Sequence, residues 1–348
     1  MDGQRMLEKR NWTFDYLKGI ACIIVVFLHC PLYGKFGEAV IYGLRFPVPI
    51  FFMISGFYLE KRDNRWILGK IKKLLLILVI TELLYGAWFF ISSMLLKNMS
   101  FGQALDSAGF INHPVRTFFC GSLFNGTLWY IYAIIWTYVI ILLLRKIKLY
   151  YNTVFCLIIS MILIIVLVVG RFYVTKHYNI DELAFLFGNA VTMGLPLTLL
   201  GVLFGRKKEL IQEKMTLKRS VLLIMTGAAL MVVEFIVWGQ YMDFHFSTLF
   251  ISVGLFCGAI VYKKETFPGK SLFSFIGRKL SMWVYLDHWF FKKVFDEIEL
   301  YVPENIQTGF SIMKPIVVCL LAILFAIVLN KLLAKKKINK ASGQTDLN

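Results

Sequence analysis

Apolar runs of roughly membrane-spanning length alternate with short polar segments along the chain. A helix needs about 20 apolar residues to cross the hydrocarbon core of a bilayer. Runs that meet this need lie at 14–33, 43–60, 74–95, 127–144, 153–173, 186–204, 219–239, 245–262, 279–295 and 313–334. Those at 43–60 and 279–295 are short or carry polar residues. The pattern predicts an all-α, polytopic membrane bundle of about ten transmembrane helices.

The polar segments give this bundle a direction. With the N-terminus in the cytoplasm, the first inner segment holds Arg5, Lys9 and Arg10, and the next Lys61, Arg62, Arg65, Lys70, Lys72 and Lys73. Then come Arg145, Lys146 and Lys148, followed by Arg206, Lys207, Lys208, Lys214, Lys218 and Arg219. Lys263, Lys264, Lys270, Arg278 and Lys279 follow, and the tail carries Lys331, Lys335, Lys336, Lys337 and Lys340. Every inner segment is basic, as expected when both termini are cytoplasmic. The expected organisation is a basic tail (1–13), a transmembrane domain (14–335) and a polar tail (336–348). The first run continues through His29 and Pro31 with no small-residue cleavage site, so it is expected to remain as a span. Two outer segments stand out. One, 96–126, contains His113, Pro114 and Arg116; the other, 296–312, contains Asp296, Glu297, Glu299 and Glu304.

Composition agrees with lipid as solvent. Of 348 residues, 58% are hydrophobic and 17% charged, against about a quarter charged in soluble domains. The net charge of +17 first suggests nucleic acid. Its confinement to segments between apolar runs argues for membrane orientation, and no nucleic-acid partner is expected. The six cysteines, Cys22, Cys30, Cys120, Cys156, Cys257 and Cys319, form no C-x-x-C pair and mostly lie in apolar runs. Neither a disulfide framework nor a metal site is indicated.

An ionisable residue inside a span is costly and marks a candidate site. The candidates are Asp15, Lys18, His29, Glu82, Glu234, Asp287 and His288. His29 lies about 22 Å along the first helix from its inner end, in the outer part of the membrane. It can deprotonate an acceptor hydroxyl or simply tie two helices together. Asp15 and Lys18 share a helical face, and either pair locally or leave Lys18 to meet an anionic ligand. Arg45 stands at the outer mouth of the second span, before Pro47 and Pro49, which are expected to prevent a regular first turn. It either snorkels to headgroups or turns inward to a phosphate or carboxylate. His288 is placed to meet His29 across the bundle. Glu82 and Glu234 each either serve a site or make a structural hydrogen bond. Trp129 and Tyr130 fit an interfacial aromatic belt or the lining of an acceptor site.

Taken in order, five segments resemble membrane-bound acyltransferase family 3, which includes bacterial O-acetyltransferases of surface polysaccharides. They are Asp15-Tyr-Leu-Lys-Gly-Ile-Ala through His29; Arg45 with Val48-Pro-Ile-Phe-Phe-Met-Ile-Ser-Gly-Phe57; Leu128-Trp-Tyr-Ile131; Gly194-Leu-Pro-Leu-Thr-Leu-Leu-Gly201; and Leu280-Ser-Met-Trp-Val-Tyr-Leu-Asp-His288. The resemblance covers about residues 10–335. It implies a multi-pass protein of a bacterial plasma or inner membrane. It also implies acetyl-CoA as cytoplasmic acyl donor, a hydroxyl of a cell-envelope glycan or lipid-linked sugar as acceptor, and no metal. His29 would be the base, supported by Arg45 and His288. Asp15 and Lys18 would organise the first span or face the donor, and Trp129, Tyr130 and Glu82 would serve the substrate. The Arg45–Phe57 stretch is also similar to the membrane domain of vancomycin-resistance serine racemases. That likeness keeps open an alternative role as a transporter of a small molecule such as serine.

Overall fold

The computed structural model describes residues 11–108, 117–119, 121, 123–178, 186–238, 244–262 and 271–342. Among these residues every regular element is helical. Seven helices are long and apolar enough to cross a membrane, and Ala190–Arg206 and Phe246–Val261 are shorter apolar ones. The ninth predicted span, 279–295, overlaps the charge-bearing helix Ser281–Glu299, which runs beyond it. Outward faces are apolar, as at Leu76, Leu83, Leu84, Leu222 and Ile236, which suits hydrocarbon surroundings. His113, Pro114, Arg116 and Cys120 lie outside the described residues.

The chain forms two compact units: Met1–Pro47, Thr216–Ser220 and Leu255–Asn348 make one, Val48–Met215 and Val221–Gly254 the other. In the first unit, α1 (Trp12–His29) starts at Asn11, whose Oδ1 accepts from the Thr13 amide at 3.0 Å. Cys30 leaves helical geometry and Pro31 follows, because proline disfavours a helical residue before it. Next comes α2 (Gly34–Gly43). Two long helices close the unit, α14 (Ser281–Glu299) and α15 (Glu304–Ser342).

A short helix, α13 (Leu272–Phe275), precedes α14 and is capped by Ser271, whose hydroxyl accepts from the Ser274 amide. It passes through a π-helical turn, Ile276–Leu280, into α14. Here α1 and the α13–α14 segment touch backbone to backbone. A Cβ on Gly277 would lie 1.8 Å from the Asp15 carbonyl oxygen and 2.6 Å from the Gly19 nitrogen. A Cβ on Gly19 would lie 2.0 Å from the Phe273 oxygen. Only glycine permits this approach. The same pair of segments meets one step inward, where Tyr16 packs edge-on against Phe273 at 5.4 Å. One step outward, the Cys22 thiol faces the Ser281 carbonyl at 3.7 Å.

The second unit contains α3 (Pro47–Leu59), α4 (Asn64–Leu95), α5 (Phe101–Ser107) and α6 (Trp129–Lys146). It continues with α7 (Thr153–Ile165), a π turn into α8 (Arg171–His177), α9 (Leu195–Arg206) and α10 (Lys208–Lys214). Most of α11 (Leu217–Trp238) and part of α12 (Phe246–Val261) also belong to it. Contrary to the sequence expectation, α3 begins at Pro47 with both prolines in its first turn. The first amides of a helix have no intrahelical partner, so proline costs nothing there. Gly56 meets the Thr198 carbonyl and Gly201 the Met53 carbonyl as closely as the glycines of the first unit meet theirs. Arg145 secures the α3–α4 turn, donating to the Arg62 carbonyl at 2.8 Å and to Asn64 Oδ1 at 3.1 Å. At least this inner arginine is structural. Glu234 is also structural: its carboxylate accepts from the amides of Phe246 and Ser247, the exposed donors at the start of α12.

The acidic segment 296–312 is not a long loop, since only 300–303 separate α14 from α15. Lys292 bonds Asp296 at 2.6 Å, and Lys314 bonds both Asp296 at 2.5 Å and Glu299 at 2.6 Å. Burial pushes the Asp296 carboxyl up, but the lysines more than offset it and hold it below its ordinary range. Hydrogen bonds from Lys314 and Ser311 hold Glu299 low as well.

Two outcomes follow from these contacts. Gly277→Leu should destabilise the purified protein by about 1–3 kcal/mol or more through overpacking, read as a lower melting temperature in detergent. Gly69→Leu, where nothing lies within 4 Å, should leave that temperature nearly unchanged, and equal effects would contradict the contact. Because the Asp296 and Glu299 carboxyls are depressed in the folded state, their stabilisation is present above the unfolded values near about 4 and is lost as pH falls below them. Thermal melts between pH 7 and 3 should show this acid loss, and it should shrink in Lys314→Met.

Candidate functional site

The parallel course of α1 and α14 brings two histidines together. From the Gly19–Gly277 contact, His29 is ten residues outward and His288 eleven. At about 1.5 Å per residue these are similar climbs, near 15 Å. The rings meet with centroids 5.1 Å apart and planes inclined by 41°. His29 Nδ1 and His288 Nε2 are 3.2 Å apart. The expected meeting of His29 with His288 is therefore present.

Each imidazole also uses Nδ1 against a carbonyl of its own helix. His29 Nδ1 lies 2.9 Å from the Val25 oxygen, and His288 Nδ1 lies 3.0 Å from the Val284 oxygen. A carbonyl only accepts, so in the neutral pair both Nδ1 atoms carry the proton. His288 Nε2 then holds a lone pair, and the one His29 Nδ1–H is shared between it at 3.2 Å and the Val25 carbonyl at 2.9 Å. His29 Nε2 is left as the basic nitrogen. This is the tautomer logic of a base oriented by its other ring nitrogen. Asp287, although adjacent in sequence, is not the orienting group. Its carboxylate is buried and makes no hydrogen bond among the described residues.

The two rings differ in access. His288 is completely buried, whereas His29 is half-buried. His29 is thus the member able to reach a bound molecule, with His288 behind it. Trp289 forms a wall beside it, edge-on to the His29 ring at 5.9 Å and 86°. Tyr285 neighbours His288, with ring centroids 6.1 Å apart. Trp289 was not among the sequence candidates. Its position one residue past His288 was the available signal, but the face it occupies depends on the helix pairing.

The other candidates fall as follows. Asp15 and Lys18 form an ion pair at 2.9 Å in the first turns of α1, with the Asp15 side chain almost fully buried. Arg45 occupies the three-residue break between α2 and α3, half-buried. These residues belong to the same unit as the histidines. Glu82, Trp129 and Tyr130 belong to the other unit. Glu82 accepts from the Tyr132 hydroxyl at 3.1 Å and from the Phe124 amide at 3.4 Å. Trp129 opens α6 beside Tyr130, which packs on Phe52 at 4.7 Å. Among the described residues no group of three or more His, Cys, Asp or Glu is disposed to hold a metal.

The tautomer assignment is open to direct measurement. Nitrogen NMR of histidine-labelled protein above pH 8, assigned with His29→Gln and His288→Gln, should show Nδ1-protonated rings at both positions. An Nε2-protonated His29 would contradict the pairing.

No curated protein and no solved structure matches the chain. A family model described as an acyltransferase domain matches residues 11–334. That match spans α1 through most of α15 and both histidines, so the chain belongs to acyltransferase family 3.

Proposed function

We propose that this membrane acyltransferase moves an acetyl or other short acyl group from cytoplasmic acyl-CoA to a hydroxyl of a cell-envelope glycan or lipid-linked sugar. The observation that carries the proposal is the His29–His288 pair, with one buried ring orienting a more accessible one. As the acceptor oxygen attacks the thioester carbonyl, its proton passes to His29 Nε2. The carbon–sulfur bond then breaks, and the departing coenzyme A thiolate recovers that proton from the imidazolium. His288 keeps His29 in the tautomer that accepts at Nε2. No metal enters this scheme.

Arg45 is proposed to hold an anionic group of a substrate, a task suited to a planar, permanently charged guanidinium. Asp15 and Lys18 stand at the end of α1 that the charge pattern assigns to the cytoplasm. Their ion pair fixes the start of the base-bearing helix, and Lys18 is the nearer candidate for the donor's phosphates. Trp129, Tyr130 and Glu82 are proposed as substrate-side residues, with Glu82 held in place by Tyr132. The host membrane in this proposal is a bacterial plasma or inner membrane.

The test is surface-glycan acetylation in a deletion strain complemented with wild type or His29→Ala. Loss of a general base costs about 100- to 10,000-fold, so acetylation should fall to background at equal protein level. Undiminished acetylation with His29→Ala would overturn the base. Serine uptake that survives the same substitution, in a strain showing no acetylation phenotype, would favour the transporter.

A further inference from the structure

Outward of the histidine pair, α14 carries a cationic and aromatic surface. The Trp289 indole is edge-on to the His29 imidazole at 5.9 Å. Over the same indole lie two ammonium groups, Lys292 Nζ at 5.0 Å and Lys293 Nζ at 5.3 Å from the ring centroid. Such contacts are weak at exposed sites, enough to bias where a lysine rests but too little to hold it there against a stronger partner.

The two lysines differ in what else they touch. Lys292 is bonded to Asp296, and Asp296 is shared with Lys314, which also holds Glu299. Glu299 in turn accepts from the Ser311 hydroxyl at 2.7 Å. That network ties α14 to α15, which accounts for Lys292 and Lys314. Lys293 is exposed and takes no part in it. Of the two lysines over the indole, Lys293 is therefore the one that does not serve the α14–α15 network. Stepping 5.9 Å from imidazole to indole and 5.3 Å on to Lys293 Nζ bounds the base-to-cation separation at about 11 Å. A sugar ring with one charged substituent fits within that bound.

Resting on the function proposed above, we infer that the acceptor is an anionic glycan, carrying a phosphate or carboxylate that Lys293 binds while its sugar ring lies along Trp289. One face of a pyranose is a sheet of C–H groups that packs on an indole. A phosphate or carboxylate draws an ammonium from an indole because charge-assisted hydrogen bonds are the stronger contact. Trp289 is one residue and Lys293 five residues beyond His288, about a turn and a half in all, so binding there presents a ring hydroxyl to His29. The same lysine chemistry would serve a lipid headgroup phosphate, and the test separates the two.

The experiment measures equilibrium binding of glucose 1-phosphate and of uncharged methyl glucoside to the full-length protein in phosphatidylcholine nanodiscs. Wild type should bind the phosphate about tenfold or more tightly than the glucoside, the size of one charge-assisted contact. Lys293→Gln should remove that preference without changing glucoside binding, and Lys293→Arg should keep most of it. A wild type that does not discriminate, or a Lys293→Gln protein that still does, would overturn the inference. Nanodiscs containing phosphatidylglycerol supply the lipid arm. If anionic lipid abolishes sugar-phosphate binding in wild type but not in Lys293→Gln, the lysine serves the headgroup and the inference fails. The readout is independent of turnover. If His29→Ala keeps both the anion preference and full acetyl transfer, only the base assignment falls.

Discussion

Two glycines set the geometry on which the candidate site depends. Gly19 and Gly277 let α1 and the segment entering α14 approach until backbone meets backbone. In lipid, helices gain little from burying apolar surface against one another, so close packing at small residues does much of the holding. That contact fixes the register of two parallel helices. Tyr16 with Phe273, Cys22 with Ser281 and His29 with His288 then follow as successive rungs. A slip of a single residue would rotate a histidine by about 100° and break the pair. The π turn at Ile276–Leu280 lies at this crossing, a common association between such turns and functional sites.

The pair divides its work through ordinary hydrogen-bond valence. Val25 and Val284 each present the carbonyl four residues before a histidine, and each takes an Nδ1 proton. The charged network of Lys292, Lys314, Asp296 and Glu299 is spent on joining α14 to α15. The Val25 and Val284 carbonyls, which meet the two rings at Nδ1, are neutral.

Much of this was legible in the sequence. Hydropathy and basic segments gave the helical membrane bundle, because lipid forces every span to be both apolar and internally hydrogen-bonded. His29 and His288 were found because an ionisable group in a span is rare. What sequence could not supply was contact. Gly277 reads as one glycine among 25 until Asp15 is seen against it. Pro47 and Pro49 suggested a broken turn and instead begin α3. Glu234 looked like a site candidate and proved to cap α12, since its partners are backbone amides that carry no sequence signature. Trp289 and Lys293 gain meaning only from the face of α14 that meets His29.

The central claim is that His288 acts through His29 and not on its own. A double-substitution cycle on acetyl transfer tests it most directly. His288→Gln alone should lower kcat/KM, yet add almost nothing when His29 is already Gln, as for residues that work as a unit. Losses that simply multiply in the double variant would show two independent residues and contradict the account.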